Sequence, residues 1–369
     1  MITTASFRCD IFCRVVDHFG DAGVAWRLAR QLVAEHGIET RLIVDELSAL
    51  RKLVPTVDIK SNQQRLYGVD VVYWCEDMAA LAPADLVIEA FGCELPLAYL
   101  TAMAHGSPPP VWLNLDYLSA EPWIDTHHLQ PSPHPKLSLT KHFFFPGFSA
   151  TSGGLIREHP IFVPQPAVSS LEPSPIQVLI FAYPNAPADE LLTAIQQENT
   201  GAHVTAMQGD LSDKLKHWCG ISAKKTPEGS PALEFTIKPF VAQEDFDALL
   251  TGHDVLFVRG EDSFVRAQWA EKPFVWHIYP QAEGAHWAKL DAFLDRYCDD
   301  LPPPAANAMR ALWRAWNAAD ANAIAPAWRA FSAQLPGLKK HAQQWAKHLR
   351  NQPDLASNVL SFFQKTYKI

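Results

Sequence analysis

The stretch that decides the fold class is residues 9–37, CDIFCRVVDHFGDAGVAWRLARQLVAEHG. It opens with the apolar, β-rich run CDIFCRVV (9–16) and passes through the polar DHFGDAG. It ends in VAWRLARQLVAEHG (24–37), whose apolar residues recur at helical spacing and whose last glycine suits a left-handed cap. A strand, a polar turn and a helix form the repeating unit of open α/β sheets, so this stretch predicts the start of a parallel sheet.

The same alternation of strand and helix continues on both sides of a Pro-, Ser- and Gly-rich region at about residues 120–175. Short apolar runs predict strands at 40–45, 69–74, 84–91 and 110–118, and then at 176–184, 203–208, 234–240, 254–260 and 273–279. We therefore expect an α/β protein with two Rossmann-like domains facing a cleft, in which ligands bind at the carboxyl ends of the strands. The predicted boundaries are an N-terminal domain at 1–165, a C-terminal domain at 166–350, and a C-terminal helix at 351–369 that packs back on the N-terminal domain.

Composition narrows the function classes. The chain has 369 residues and a net charge of −9, which argues against a broad nucleic-acid surface and suits a basic partner. No apolar run reaches the roughly 18 residues that span a membrane, and no signal-peptide pattern opens the chain. The six cysteines form no CxxC pair, so we expect reduced thiols, a cytoplasmic protein and no zinc site.

The polar turn after the first predicted strand carries two carboxylates, Asp17 and Asp21, with glycines at 20 and 23. Active sites of open α/β sheets lie at such strand ends, and Gly20 and Gly23 let a ligand approach the backbone closely. Asp21 falls near the predicted helix start, where the helix dipole favours an ionised carboxylate. The same spacing is satisfied if Asp21 is a helix cap and Asp17 a turn residue.

A second strand end, RGEDS, starts at Arg259 and opens a helix. Free N–H groups and the positive end of the helix dipole make a seat for a diphosphate there, to which Arg259 adds a charge-assisted contact. Glu261 and Asp262 would repel phosphate, so we expect them to bind sugar or ribose hydroxyls, or to offer only their N–H groups. An ordinary helix capped by Asp262 or Ser263 fits the same residues.

Aromatic residues stand at the neighbouring strand ends. Phe240 is expected to stack on a base whose edge Gln243 contacts. Period-2 spacing puts Phe181 and Tyr183 on one side of their strand, and Tyr279 supplies a hydroxyl at the same rim. The phenylalanines and Tyr183 also fit core positions.

The sequence contains few candidate metal ligands. Asp245 and Asp247 form a DxD pattern inside a predicted helix, where carboxylates in the first turn favour the dipole. His127, His128 and His134 lie in the Pro-rich region without the spacing of metal ligands. We therefore expect no metal site.

Five segments together resemble one protein family, and they keep its order: IFCRVVDHFGDAGVAWRLARQL (11–32), NLDYLSAEPW (114–123), GFSATSGGLIRE (147–158), KPFVAQEDFDALL (238–250) and RGEDSFVRAQWAEKPFVWHIYPQ (259–281). The chain resembles the bacterial protein-arginine rhamnosyltransferases that modify elongation factor P, the EarP family. The likeness extends over nearly the whole chain. One departure is His18, where the family usually has Asn, although both neighbouring carboxylates are kept.

The resemblance implies a GT-B glycosyltransferase that moves L-rhamnose from dTDP-β-L-rhamnose to an arginine of elongation factor P, with inversion. The composition described above predicts no nucleic-acid or membrane partner, and the resemblance implies no cofactor. The catalytic residues it implies are Asp21 and its neighbour Asp17. The donor contacts it implies are Phe181, Tyr183, Phe240, Gln243, Arg259, Glu261, Asp262, Ser263 and Tyr279. The acceptor side it implies is formed by Gly20, Gly23, Tyr117 and Ser119.

An arginine acceptor would explain why this site has two carboxylates, Asp17 and Asp21. A guanidinium is protonated at cellular pH and has no free lone pair on nitrogen, so it must be held and deprotonated as the new bond forms. Two other functions remain open at this point. One is a GT-B enzyme with a small-molecule acceptor, and the other is a non-catalytic module that binds a basic translation factor.

Overall fold

The computed structural model describes residues 7–17, 19–75, 81–159, 175–198, 201–222 and 233–367. By its internal contacts the chain divides into two compact units, residues 1–161 with 350–369, and residues 162–349. The predicted boundary at 165/166 and His18 lie outside the described residues. Within the described residues, no helix is both long and apolar enough to cross a membrane.

The first unit is built on an eight-stranded sheet in the order β3-β4-β2-β1-β5-β6-β8-β7. Its strands are β1 (Arg8–Cys13), β2 (Glu39–Val44), β3 (Gln63–Leu66), β4 (Val69–Tyr73), β5 (Leu86–Ala90), β6 (Val111–Leu115), β7 (Pro131–Pro133) and β8 (Thr140–Phe144). The helices of its residues 1–161 are α1 (Gly20–His36), α2 (Leu47–Leu53), α3 (Leu97–Ala104) and α4 (Ile124–His127). The central strands are parallel, and only β3 and β7 pair antiparallel to their neighbours.

Burial explains why these segments form the sheet. Every residue of β5 and β6 is buried, as expected for parallel strands covered on both faces. The prediction that α1 ends at Gly37 is confirmed, since this glycine has φ 67° and donates its N–H to the carbonyl of Val33 at 3.1 Å. Two predictions were wrong: the first strand ends at Cys13 rather than Val16, and the Pro-rich region contains β7 and β8. Proline is tolerated in β7 because that strand lies at the sheet edge.

The second unit is built on a five-stranded parallel sheet in the order β11-β10-β9-β12-β13. Its strands are β9 (Ile176–Ile180), β10 (Ala202–Met207), β11 (Leu233–Lys238), β12 (Val255–Arg259) and β13 (Phe274–His277). Its helices are α5 (Ala188–Gln197), α6 (Asp210–Ser222), α7 (Gln243–Thr251), α8 (Glu261–Trp269), α9 (His286–Cys298), α10 (Pro303–Asn317), α11 (Ala321–Ser332) and α12 (Leu335–Arg350).

The last helix, α13 (Leu355–Thr366), belongs to the first unit. It packs against α1, and its Phe363 stacks on Phe7 with 4.4 Å between ring centroids. The N–H of Leu355 donates to the carbonyl of Leu155 at 2.9 Å. The chain therefore returns to its first unit after completing the second.

Candidate active site

The loop between β1 and α1 holds Asp21 in a fixed position. Helix α1 begins at Gly20, earlier than predicted, so Asp21 lies in the first turn with 2% of its surface exposed. Its Oδ2 accepts hydrogen bonds from the N–H groups of Val16 at 2.8 Å and Asp17 at 2.9 Å. The N-cap residue is Phe19, whose side chain makes no capping bond. The interpretation of Asp21 as a helix cap is therefore wrong, because its side chain reaches back to the loop.

The surroundings of Asp21 change its affinity for protons. Burial is the largest influence and raises the pKa of Asp21 above its ordinary value. The N–H groups of Asp17 and Val16 and the hydroxyl of Tyr117 bond to the carboxylate and oppose that rise, whereas the charge of Asp45 adds to it. Asp21 is thus held by donors and is a stronger proton acceptor than an exposed aspartate.

Asp17 lies in the same loop, half-buried at the start of α1. Its carbonyl accepts from the N–H of Gly20 at 2.7 Å, and a Cβ on Gly20 would come within 2.9 Å of the Asp17 Oδ2. Glycine at position 20 therefore leaves room for the Asp17 carboxylate. Gly23 is buried, and its N–H donates to the carbonyl of Phe19 at 2.9 Å.

The other two residues predicted on the acceptor side, Tyr117 and Ser119, have different surroundings. Tyr117 donates its hydroxyl to Asp21 and stacks on Phe91, with 4.6 Å between ring centroids and 22° between the planes. Ser119 is buried, and its Oγ donates to Glu121 Oε2 at 2.9 Å and accepts from the Glu121 N–H at 3.1 Å. Tyr117 therefore joins the candidate site, whereas these bonds of Ser119 order its own loop.

Two further acids lie at this edge of the sheet, and neither was among the predicted site residues. Asp45 follows β2 and accepts from the N–H of Val15 at 2.9 Å, and Asp116 follows β6. Since β1, β2, β5 and β6 are parallel, the loops after them lie along one edge. The available signal was an acid directly after a buried strand, as in TRLIVD and VWLNLD. We call Asp17, Asp21, Asp45 and Asp116 the acidic edge.

The second unit places a cation among aromatic rings. The guanidinium carbon of Arg259, at the end of β12, lies 4.8 Å from the ring centroid of Phe181 and 4.7 Å from that of Tyr183. Both rings contact one guanidinium, but the prediction that they lie on a strand is wrong, because β9 ends at Ile180 and both residues follow it. We call Arg259, Phe181 and Tyr183 the Arg259 stack. Tyr279, 46% exposed, meets the Tyr183 ring edge-on at 5.6 Å.

The start of α8 has the geometry of an uncapped helix terminus. Its N-cap is Gly260, with φ 65° and ψ 178°, and neither Asp262 nor Ser263 caps the helix, so that interpretation is wrong. The Gly260 carbonyl accepts from the Trp276 Nε1 at 3.0 Å, which fixes the turn. Glu261 and Asp262 are half-buried, and Ser263 is 8% exposed. The strand end therefore delivers backbone N–H groups directly after the Arg259 stack.

Phe240 and Gln243 flank the start of α7 rather than standing on a strand, because β11 ends at Lys238. Gln243 is 4% exposed, and its Nε2 donates to Asp262 Oδ2 at 2.8 Å. The half-buried Phe240 ring meets Phe181 edge-on at 6.3 Å. The structure thus brings the predicted donor residues of this unit together.

The structure explains one of the two aspartates in the DxD pattern, Asp247. Asp247 forms a two-point ion pair with Arg266, in which Asp247 Oδ1 accepts from Nε at 2.7 Å. Arg266 is 5% exposed. Among the described residues, no group of three or more His, Cys, Asp or Glu is arranged to hold a metal ion.

Two Rossmann-like sheets, each with polar and charged groups at its carboxyl edge, are the components of the GT-B fold, and solved glycosyltransferases share that fold. The calicheamicin glycosyltransferase CalG4 shares the fold with a TM-score of 0.52 at 12% identity, over 99% of this chain and 100% of that one. The structure described as the basis for EarP-mediated arginine glycosylation of translation elongation factor EF-P has a TM-score of 0.64 at 32% identity, over 99% and 100% of the two chains.

Sequence comparison identifies the family. The profile of "Elongation-Factor P (EF-P) rhamnosyltransferase EarP" matches residues 9–364. The protein-arginine rhamnosyltransferase of Pseudomonas putida is 44% identical over 374 residues, covering 97% of this chain and 98% of that protein. The chain belongs to the EarP family, and its enzyme class is that of the protein-arginine rhamnosyltransferases.

Proposed function

We propose that this chain transfers L-rhamnose from dTDP-β-L-rhamnose to one arginine of elongation factor P, with inversion and without a metal or other cofactor. The family name supports the acceptor protein, and the name of the P. putida relative supports rhamnose and arginine. We place the reaction in the cytoplasm, where modification would activate the factor for translation. The observation that carries the proposal is the buried Asp21, oriented by two N–H groups and a tyrosine hydroxyl.

The acidic edge suits an arginine acceptor. A guanidinium is always charged and offers its N–H groups in a planar fork that fits a carboxylate. Asp21 would accept from N–H groups on one edge of that fork, and Asp17 would compensate the charge from the loop before α1. Tyr117 would hold the Asp21 carboxylate in place during the reaction. A bound guanidinium also opposes the rise in the pKa of Asp21 that burial causes, so the carboxylate stays ionised until it takes the proton.

An inverting transfer is a single displacement. The guanidinium nitrogen forms a bond to the anomeric carbon while the bond from that carbon to the dTDP oxygen breaks, and the nitrogen's proton goes to Asp21. Base catalysis of this kind supplies roughly 10²–10⁴-fold, and holding the two substrates in line supplies up to about 7–11 kcal/mol more.

The second unit has groups that could stabilise dTDP, the leaving group of the reaction. Negative charge grows on dTDP as the bond to rhamnose breaks. The N–H groups at the start of α8 and the guanidinium of Arg259 would stabilise that charge without a metal ion. Phe240 would stack on the thymine and Gln243 would contact its edge. Glu261, as a half-buried acid at the helix start, would accept from ribose or sugar hydroxyls.

The decisive experiment incubates the purified protein with dTDP-β-L-rhamnose and elongation factor P and measures the mass of the factor. We expect the mass of one deoxyhexose to be added, and no addition when the acceptor arginine is replaced by lysine or when UDP-glucose replaces the donor. A stable complex without added mass would instead support a binding module. Donor consumption without change in the factor would support a small-molecule acceptor.

A further inference from the structure

One buried histidine stands beside the Arg259 stack without a role in the proposed chemistry. His277 is the last residue of β13 and is 1% exposed. Strand β13 runs parallel to β12, and His277 lies directly opposite Arg259 in the register of the two strands. It therefore occupies the position next to the cation at the carboxyl end of the sheet.

His277 bonds to the backbone that follows β9. Its Nδ1 accepts a hydrogen bond from the N–H of Tyr183 at 3.2 Å. The two rings meet edge-on at 5.1 Å, and on another side the imidazole meets Trp316 edge-on at 6.0 Å. The contact links the ends of three strands, because Arg259 in turn lies over the Tyr183 ring.

The bond requires a neutral imidazole. An Nδ1 that accepts cannot carry a proton, so the proton must lie on Nε2, which is buried and has no hydrogen-bond partner among the described atoms. Burial, together with the positive charges of Arg259 and His286, lowers the pKa of His277 to about 3. The acceptor at Nδ1 is thus maintained throughout the physiological pH range.

We propose that His277 is a positioning residue for the donor: its Nδ1 fixes the backbone of Tyr183 and thereby holds the Arg259 stack in the place where it meets the diphosphate of dTDP. The inference rests on the proposed function, since it takes the second unit as the donor site. The essential property of His277 is then the acceptor atom and not the bulk of the ring. A buried N–H that loses its acceptor would seek another partner, and Tyr183 would shift with it.

Two substitutions separate the acceptor from the bulk. His277→Asn keeps an acceptor oxygen near the position of Nδ1 but loses most of the ring, and His277→Phe keeps a ring but has no acceptor. We expect the asparagine variant to bind dTDP within about threefold of the wild type, and the phenylalanine variant to bind it about tenfold more weakly, as the loss of one hydrogen bond would give. Binding is measured by calorimetry with dTDP, on the full-length protein. Rhamnosylation at saturating donor should be reduced less than binding.

A matched control is His341→Phe, which alters another buried histidine of the same unit, one whose Nε2 lies 2.7 Å from the carbonyl of Tyr297. We expect it to lower the melting temperature while leaving dTDP affinity unchanged. Full affinity in His277→Phe, or equal losses in both His277 variants, would overturn the inference. Nitrogen NMR of the histidine-labelled wild type must also show an unprotonated Nδ1 at His277, and a protonated Nδ1 would overturn it without any variant. If the wild type binds no dTDP, the proposed donor site itself fails and the positioning role falls with it.

Discussion

Replacing Asp21 with asparagine removes the proposed proton acceptor while keeping the shape of the side chain. We expect rhamnosylation of elongation factor P to fall by about 10²–10⁴-fold, the range that a general base contributes. The affinity for dTDP should stay unchanged, because the residues that we propose bind the donor belong to the other unit of the chain. The loss should appear in kcat more than in the KM for the donor.

The structure also bounds the effect of this substitution on folding. The amide oxygen of asparagine can still accept from the Val16 and Asp17 N–H groups, so the loop keeps its two bonds. What is lost is the charge assistance, since hydrogen bonds to a charged group contribute about 1.5–3 kcal/mol each and neutral ones about 0.5–1.5 kcal/mol. Removing a buried charge offsets part of that loss. We therefore expect the free energy of unfolding to change by no more than about 1–2 kcal/mol.

Three measurements on the same sample test this reasoning. Mass spectrometry follows the modified factor over time at saturating donor, calorimetry gives the dTDP affinity, and thermal denaturation reports the fold. An asparagine variant that is folded, binds dTDP and turns over within tenfold of the wild type would refute the role of Asp21 as the base. A variant that has lost dTDP affinity as well would refute the assignment of donor and acceptor residues to separate units.

Three further predictions concern charges around these sites. Asp45→Asn removes a negative charge that raises the pKa of Asp21, so the acid limb of the pH–rate profile should move to lower pH. The rate at neutral pH should fall by less than about tenfold. An acid limb that does not move would show that Asp21 does not control it. Tyr117→Phe removes a donor that lowers the same pKa, so the acid limb should move to higher pH, and a shift in the same direction as in Asp45→Asn would contradict the hydrogen bond. Arg266→Met removes the two-point ion pair with Asp247, whose side chain is 16% exposed, so water can solvate part of the freed charge. The free energy of unfolding in urea should fall by about 1–3 kcal/mol, and no measurable change would contradict a stabilising ion pair.

The strand and helix alternation was readable from the sequence because buried parallel strands leave apolar runs. The edges of the elements were harder to predict. The run CDIFCRVV ends in two valines that favour a strand, yet β1 stops at Cys13, since the residues after Arg14 turn away from the sheet to reach Asp21. Helix α1 likewise starts before its apolar pattern does, because Gly20 and Asp21 contribute through backbone geometry and hydrogen bonds rather than through hydrophobicity.

The candidate site was partly predictable for a related reason. Arg259, the last residue of β12, and Asp17, in the loop that follows β1, can be found from strand position alone. Tyr117 could be placed only by resemblance, because its link to Asp21 joins two loops far apart in the chain. The sequence around His277 does not distinguish it from a core residue. Its proposed positioning role depends on the register of β12 and β13 and on the backbone after β9.

Asp21 shows why a structural and a catalytic interpretation of one residue need not compete. Its carboxylate holds the loop after β1, and the same hydrogen bonds orient it and favour its charged form against the effect of burial. A base that was only buried would be protonated too readily, and a base that was only exposed would be weakly basic and poorly aimed. Because both influences come from the position of Asp21 in the first turn of α1, the loop must fold correctly for the base to work. Gly20→Ala leaves Asp21 itself unchanged but puts a Cβ within 2.9 Å of the Asp17 Oδ2, so the loop must shift. We therefore expect this variant to lose kcat in the rhamnosylation assay while calorimetry shows unchanged dTDP affinity.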